Sequence, residues 1–152
     1  MIAFSVEFSL QAGNDQGPII AHTSAEVDAA FARILAAAPL LHNPTAHVRE
    51  RPRFGPAQIP DHGLKMDVSP QFGVGALAYF GDPENEQSGP WVTKSGAQTT
   101  SAPLLHRDID SATPFPVDAA ISLDLIRQAL HEFHSSGGRR PPSVAWQASA
   151  SW

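Results

Sequence analysis

Cysteine is absent from this 152-residue chain, and with it go disulfides and thiolate metal sites. That absence fits a reducing compartment. No uninterrupted apolar stretch reaches the roughly 18 residues that a membrane-spanning helix needs. The opening MIAFSVEFSL has no positively charged start and carries Glu7 within its apolar run, so a secretory signal is not expected. The expected location is the cytoplasm, with no membrane partner. Basic side chains are scarce too: 10 Lys plus Arg stand against 15 Asp plus Glu, a formal net charge of -5. This balance argues against general nucleic-acid binding, which needs cations to displace phosphate counterions. It suits a basic partner better. The deficit is concentrated between residues 82 and 132, which hold eight acidic and three basic side chains.

What remains is enough to fold. With 42% hydrophobic and 16% charged residues the chain suits a single domain spanning residues 1–152, while 14 Pro and 11 Gly predict a loop-rich structure rather than a helical bundle. Ile2, Phe4, Val6, Phe8 and Leu10 alternate with Ala3, Ser5, Glu7 and Ser9, the period of a strand with one buried face. Thr23 and Glu26 form a capping-box pair ahead of Val27, Phe31, Ile34, Leu35 and Ala38 at helical spacing, so a helix is predicted over about Ser24 to Ala38, stopped by Pro39. Arg49, Arg51 and Arg53 share a face of an extended segment that Pro52 confines to an edge or a loop, and Arg53 to Gly63 reads as a connection. Leu64, Met66 and Val68 alternate with Lys65 and Asp67; Val74 to Phe80 is apolar on both faces, as in a central strand. Short strands are predicted around Trp91 to Lys94 and Ala102 to Arg107, with Asp82 to Gly89 as a turn.

The C-terminal segment is the most distinctive. Ser122 caps a helix, Ile121 and Ile126 occupy the positions of a hydrophobic staple, and Gly137 or Gly138 supplies the left-handed residue that ends it. The apolar stripe is Leu123, Ile126, Ala129, Leu130 and Phe133, with Arg127, His131 and Glu132 turned away. Ser143 to Gln147 follows as a strand with Val144 and Trp146 on one face. The predicted fold is α+β: a mainly antiparallel sheet of about six strands with two helices packed on it.

This ending resembles the first-described family of immunity proteins in bacterial polymorphic toxin systems. The resemblance rests on the helix, on Gly137, Gly138, Arg139, Arg140 and Pro141, and on Val144, Trp146 and Gln147. More weakly it extends back to about Phe72, through GVGALAYFGD, the Trp91-Val92 strand and Thr113-Pro114-Phe115-Pro116; the first seventy or so residues carry no family signature. Leu104 to Asp108 stand where members often have an aromatic run. Many members sit beside nucleic-acid deaminase toxins. The resemblance therefore implies an antitoxin that binds a cognate secreted toxin, a cytosine deaminase foremost, and blocks its active site.

The chain itself is not such an enzyme. Zinc deaminases need a His-x-Glu pair and a Pro-Cys-x-x-Cys pair, and neither occurs. His131 and His134 lack a third ligand at fixed spacing and do not form HExxH, so no metal and no cofactor is expected. No Gly-x-Ser-x-Gly elbow is present, and no catalytic residue is assigned.

Candidates for toxin binding are Asp82, Glu84, Glu86, Trp91, Asp108 and Asp110. Carboxylates placed this way imitate phosphates in a basic cleft and speed encounter; the plainer reading is a solvated hairpin tip, with Trp91 in the core. Gly137, Gly138, Arg139, Arg140, Pro141 and Trp146 are read as structural, closing the helix and bracing the turn. One other reading stays open, a small enzyme or ligand-binding domain, favoured if two or more of His22, His42, His62 and His106 share a pocket; direct nucleic-acid binding through Arg49, Arg51 and Arg53 conflicts with the acidic balance and has little aromatic support, so no direct nucleic-acid partner is expected.

Overall fold

The computed structural model describes residues 3–10, 17–81, 89–96 and 103–152. Along the chain run β1 (Val6–Ser9), β2 (Ile19–Ala21), α1 (Ser24–Ala37), β3 (Thr45–Val48), β4 (Arg53–Phe54), β5 (Ile59–Pro60), β6 (Gly63–Ser69), β7 (Val74–Phe80), β8 (Trp91–Lys94), β9 (His106–Asp108), β10 (Thr113–Pro114), β11 (Ile121–Ser122), α2 (Leu123–Ser135) and β12 (Ala145–Ala148). The fold is α+β. The main sheet has eight strands rather than about six, in the order β12-β8-β7-β6-β3-β1-β2 with β11 on β7, and its pairings are antiparallel. β2, β3 and β11 join it, and the strand expected around Ala102 to Arg107 does not. β2 and β11, of three and two residues, have no room to show a period of two.

At the centre lies the β6–β7 hairpin, paired over seven positions from Gly63 opposite Phe80 to Ser69 opposite Val74. Leu64, Met66 and Val68, with Leu77 and Tyr79, face the helices. Each large side chain so buried contributes roughly 1.5–3 kcal/mol. From α1 come Val27, Ala30, Phe31 and Ile34, and from α2 Ile126, Ala129, Leu130 and Phe133; Ala30 joins the predicted stripes, whose Leu35, Ala38 and Leu123 are only partly buried. Thr23 caps α1 through its hydroxyl, which accepts the Glu26 amide (3.2 Å), while the Glu26 carboxylate accepts the amide of His22 (3.2 Å). Across the helices, Arg127 grips Asp28 with two hydrogen bonds (2.7 and 2.9 Å) and His131 adds a third (2.7 Å). These bonds, Arg127 foremost, hold the Asp28 carboxyl at about 2.

The sheet's other face is also covered. Ala76, Ala78 and Val92 are small enough for Leu105, Phe115 and Ala119 to pack on them, so Lys65 and Asp67 are buried as well. Asp67 accepts amides from Val68 and His106 (2.9 and 2.8 Å). Burial still drives its carboxyl upward. Asn43 joins the layers, donating to the carbonyls of Met66 and His106 and accepting the amide of Ile109.

Several expectations change. Of the strand expected around Ala102 to Arg107, Ala102 lies outside the described residues, and His106 and Arg107 belong to β9, which pairs with β10 in a separate ribbon and not in the main sheet. Among His47 to Arg53, His47 and Val48 belong to β3, an inner strand between β1 and β6; the chain then turns at Glu50, ahead of Pro52. The connection Arg53 to Gly63 contains a hairpin of its own, β4–β5. Trp152 sets its ring 4.8 Å from that of Phe80, under the Lys65 ammonium at 4.3 Å.

Helix α2 ends in a complete Schellman motif: the Gly138 amide donates to the Phe133 carbonyl (2.9 Å) and the Gly137 amide to that of His134 (3.4 Å). Gly137 and Gly138 both have positive φ, 76° and 93°. A Cβ on Gly138 would also lie 2.7 Å from the His62 ring, whereas one on Gly55, at φ 74°, meets nothing within 4 Å. Gly55→Ala should therefore cost only the left-handed strain, about 1–2 kcal/mol, and Gly138→Ala that strain plus overpacking, about 2–5 kcal/mol. Urea unfolding of the two variants measures the difference.

Candidate partner-binding surface

The Gly-Gly-Arg-Arg turn is held from beneath by a buried polar network. The Gly138 carbonyl accepts the Tyr79 hydroxyl (2.7 Å) and the Arg51 guanidinium (3.0 Å). Arg51 also donates to the Asp61 carboxylate (3.1 Å) and the Gly81 carbonyl (3.0 Å). Asp61 in turn accepts Nδ1–H of His62 (2.8 Å), whose Nε2 accepts the Val48 amide (2.8 Å). Those two bonds require a neutral imidazole with its proton on Nδ1. Burial, then the Arg51 charge, push the His62 pKa down to about 4.

Beyond the glycines the turn meets the edge of the sheet. Arg140 stacks its guanidinium over the Trp91 ring at 4.5 Å, a cation–π contact. The Arg139 amide donates to Ser136 Oγ (3.1 Å), and the Pro141 carbonyl accepts the Trp146 indole N–H (2.8 Å). Trp146 lies against Tyr79, ring centroids 6.1 Å apart. The residues of the resemblance motif thus converge on one side of β7 and β8.

The acidic candidates are distributed differently. Asp82, Glu84 and Glu86 lie outside the described residues, between Gly81 and Gly89. Trp91 is half-buried and packs on the helix side of the sheet. Asp108 and Asp110 lie at the β9–β10 turn, on the opposite side. Asp108 accepts the Ser111 hydroxyl (2.9 Å) and the Asp110 amide (3.1 Å); the hydroxyl bond is the main reason its carboxyl titrates low. Asp110 meets His42 Nδ1 at 2.7 Å. Trp91 and this acidic turn therefore do not form one patch.

Nor do the histidines gather. His131 is engaged by Asp28, and His134 Nε2 donates to the Phe4 carbonyl (2.9 Å). Among the described residues no group of three or more His, Asp or Glu is placed to hold a metal. Of His22, His42, His62 and His106, His22 alone lines the cavity of about 360 Å³ formed by Ala3, Phe4, Ser5, Arg49, Glu50 and Arg53. Arg51, read with Arg49 and Arg53 as a basic face, points inward instead.

Sequence reasoning missed the β4–β5 hairpin beside this cavity. Phe54 and Ile59 stand opposite one another across it and are 60% and 61% exposed. Gly55 before Pro56 was its one local signal.

The neutral state of His62 makes stability pH-dependent. Its folded pKa, about 4, lies below the ordinary value near 6.5, so the unfolded chain binds the extra proton between these limits and stability falls as pH drops through them. The full loss from this residue is about 3 kcal/mol. Denaturant titrations at pH 7 and 4.5 should show it, and the His62 ring signals in NMR should stay those of a neutral imidazole down to near pH 4.

No helix among the described residues is long and apolar enough to cross a membrane. No curated protein matches the chain. The family model described as "Immunity protein Imm1" matches residues 15–148, reaching well before the Phe72 limit of the resemblance read from sequence. The match spans both helices and the strands from β2 to β12, and on that extent the chain belongs to the Imm1 family of immunity proteins.

Proposed function

We propose that this immunity protein neutralises a secreted toxin whose catalytic domain is a nucleic-acid cytosine deaminase, and that it does so by covering the toxin's active site. The observation that carries the reading is the family match over residues 15–148, together with the association of many members of the resembling family with deaminase toxins. The acid-weighted stretch from residue 82 to 132 supports it. An enzyme that holds a nucleic-acid strand presents a basic channel to phosphates, and an acidic inhibitor is drawn into that channel by the same field. The antitoxin's work is then binding and exclusion, without catalysis of its own.

Within this reading Asp82, Glu84, Glu86, Asp108 and Asp110 act as steering charges. Gly137, Gly138, Arg139, Arg140, Pro141 and Trp146 keep the adjoining frame rigid, and Trp91 lies between the two roles. A preformed frame matters because each side chain that must be ordered on binding costs about 0.5–1.5 kcal/mol.

The test is co-purification with the C-terminal domain of the protein encoded by the neighbouring reading frame, followed by deamination assays on single- and double-stranded nucleic acid. A stoichiometric complex without deaminase activity is expected. A neighbour with a different chemistry, silenced equally well, would keep the antitoxin role and discard the deaminase. Replacing Asp82, Glu84 and Glu86 together by Ser should slow association about 10-fold at low salt and flatten its salt dependence, leaving the melting temperature unchanged. Stopped-flow mixing measures both effects.

A further inference from the structure

The β4–β5 hairpin stands apart from the main sheet. Its two large apolar side chains, Phe54 and Ile59, are cross-strand partners and both are more than half exposed. A ribbon of two residues per strand has little stability of its own, yet this one is stiffened at both ends. At the tip, the Gln58 amide and its side-chain nitrogen both donate to the Gly55 carbonyl (3.1 Å each). At the base, the Asp61 amide donates to the Pro52 carbonyl (3.3 Å). Arg51, next to Pro52, is fixed by Asp61, Gly81 and Gly138. The hairpin is thus anchored to the buried network and presents an apolar pair to solvent.

Arg53 belongs to both the hairpin and the cavity beside it, so the two are continuous. Both carboxylate oxygens of Glu50 in that cavity are occupied by Ser5, through its amide (2.8 Å) and its hydroxyl (2.6 Å). Arg53 reaches His47 with one nitrogen (3.0 Å). Within the cavity lining, two guanidinium groups stand against one carboxylate that is already engaged, while Glu7 lies outside the lining, 3.8 Å from His47, and the complement of the cavity is an anion. Apolar pair and basic cavity together describe a partner surface: an apolar cleft with a carboxylate at its edge.

We propose that this hairpin is an anchor by which the protein holds its toxin, with Phe54 and Ile59 entering an apolar cleft of the toxin domain and a toxin Asp or Glu entering the cavity between Arg49 and Arg53. The proposal rests on the antitoxin reading and locates its interface. Aromatic and apolar side chains on a rigid protrusion are the kind that carry most of the free energy of an interface. The guanidinium groups add direction, because Arg pairs with a carboxylate through parallel hydrogen bonds.

The test measures affinity of the full chain for the neighbouring frame's C-terminal toxin domain by interferometry, with melting curves for every variant. Phe54→Ser with Ile59→Ser should weaken binding at least roughly 30-fold, mainly through faster dissociation. Arg49→Gln with Arg53→Gln should weaken it and reduce its salt dependence. Phe72→Ser with Leu104→Ser, exposed elsewhere, should bind as the unaltered chain does. Hydrogen exchange of the unaltered complex should protect residues 53–60, a reading that needs no variant to fold.

Full affinity in the Phe54/Ile59 variant, or no protection there, overturns this proposal and leaves the antitoxin reading standing. An unaltered chain that does not bind the toxin domain removes both. Sedimentation showing a dimer that the Phe54/Ile59 variant abolishes, with toxin affinity intact, assigns the hairpin to self-association and overturns the proposal as well.

Discussion

The carbonyl oxygen of Gly138 is the point on which the rest of the structure hangs. It accepts from Tyr79 on β7 and from Arg51 on the loop after β3, and it is presented by the turn that ends α2. Both lone pairs of one backbone oxygen are used, so the helix, the central strand and the loop are fixed relative to each other at a single atom. Arg51 extends the constraint to Asp61 and Gly81, and Asp61 extends it to His62 and Val48. Buried networks of this type strongly favour one arrangement, because removing one partner leaves others desolvated and unpaired, at about 1–3 kcal/mol for a neutral group and 3–5 kcal/mol for a broken ion pair. The positive φ values of Gly137 and Gly138 belong to the same constraint. A side chain there would displace the rings of Phe4 and His62.

How much of this could be read from sequence follows from the range of each interaction. Both helices were legible because capping and apolar spacing are local: Thr23 and Glu26 are three residues apart, as are Ser122 and Leu125, and the buried stripes repeat within each helix. The β6–β7 hairpin was legible for the same reason, its partners being close along the chain. β3 was not, since its inner position depends on flanking strands that begin at Val6 and Gly63, and Pro52 after it suggested an edge. The burial of Lys65 and Asp67 was also hidden. It arises from a layer some forty residues further on, whose Leu105 and Phe115 show no period of their own.

For the candidate surface the division is similar. The Gly-Gly-Arg-Arg-Pro turn announces itself locally, but its partners do not: Arg51 and Gly138 are 87 positions apart and Tyr79 and Gly138 are 59 apart. His62 looked like one of several scattered loop histidines, and only its neighbours Val48, Asp61 and Phe133 make it a buried acceptor. The exposed pair of Phe54 and Ile59 was equally silent, because whether an apolar residue between prolines and glycine is buried is decided by what packs on it. With helices on one face of the central strands and the β9–β10 layer on the other, broad sheet surfaces are largely spent on folding. Loops and turns at the ends of strands remain to meet a partner.

Tyr79 is the chain's single tyrosine, and its ring lies 6.1 Å from that of Trp146. Energy absorbed by the phenol at this separation passes to the indole instead of being emitted, so the folded protein should be dark at tyrosine wavelengths. Recovery of its emission reports separation of the Tyr79 ring from the Trp146 ring. The molecule carries a built-in optical gauge of the packing of its last strand against its central strand.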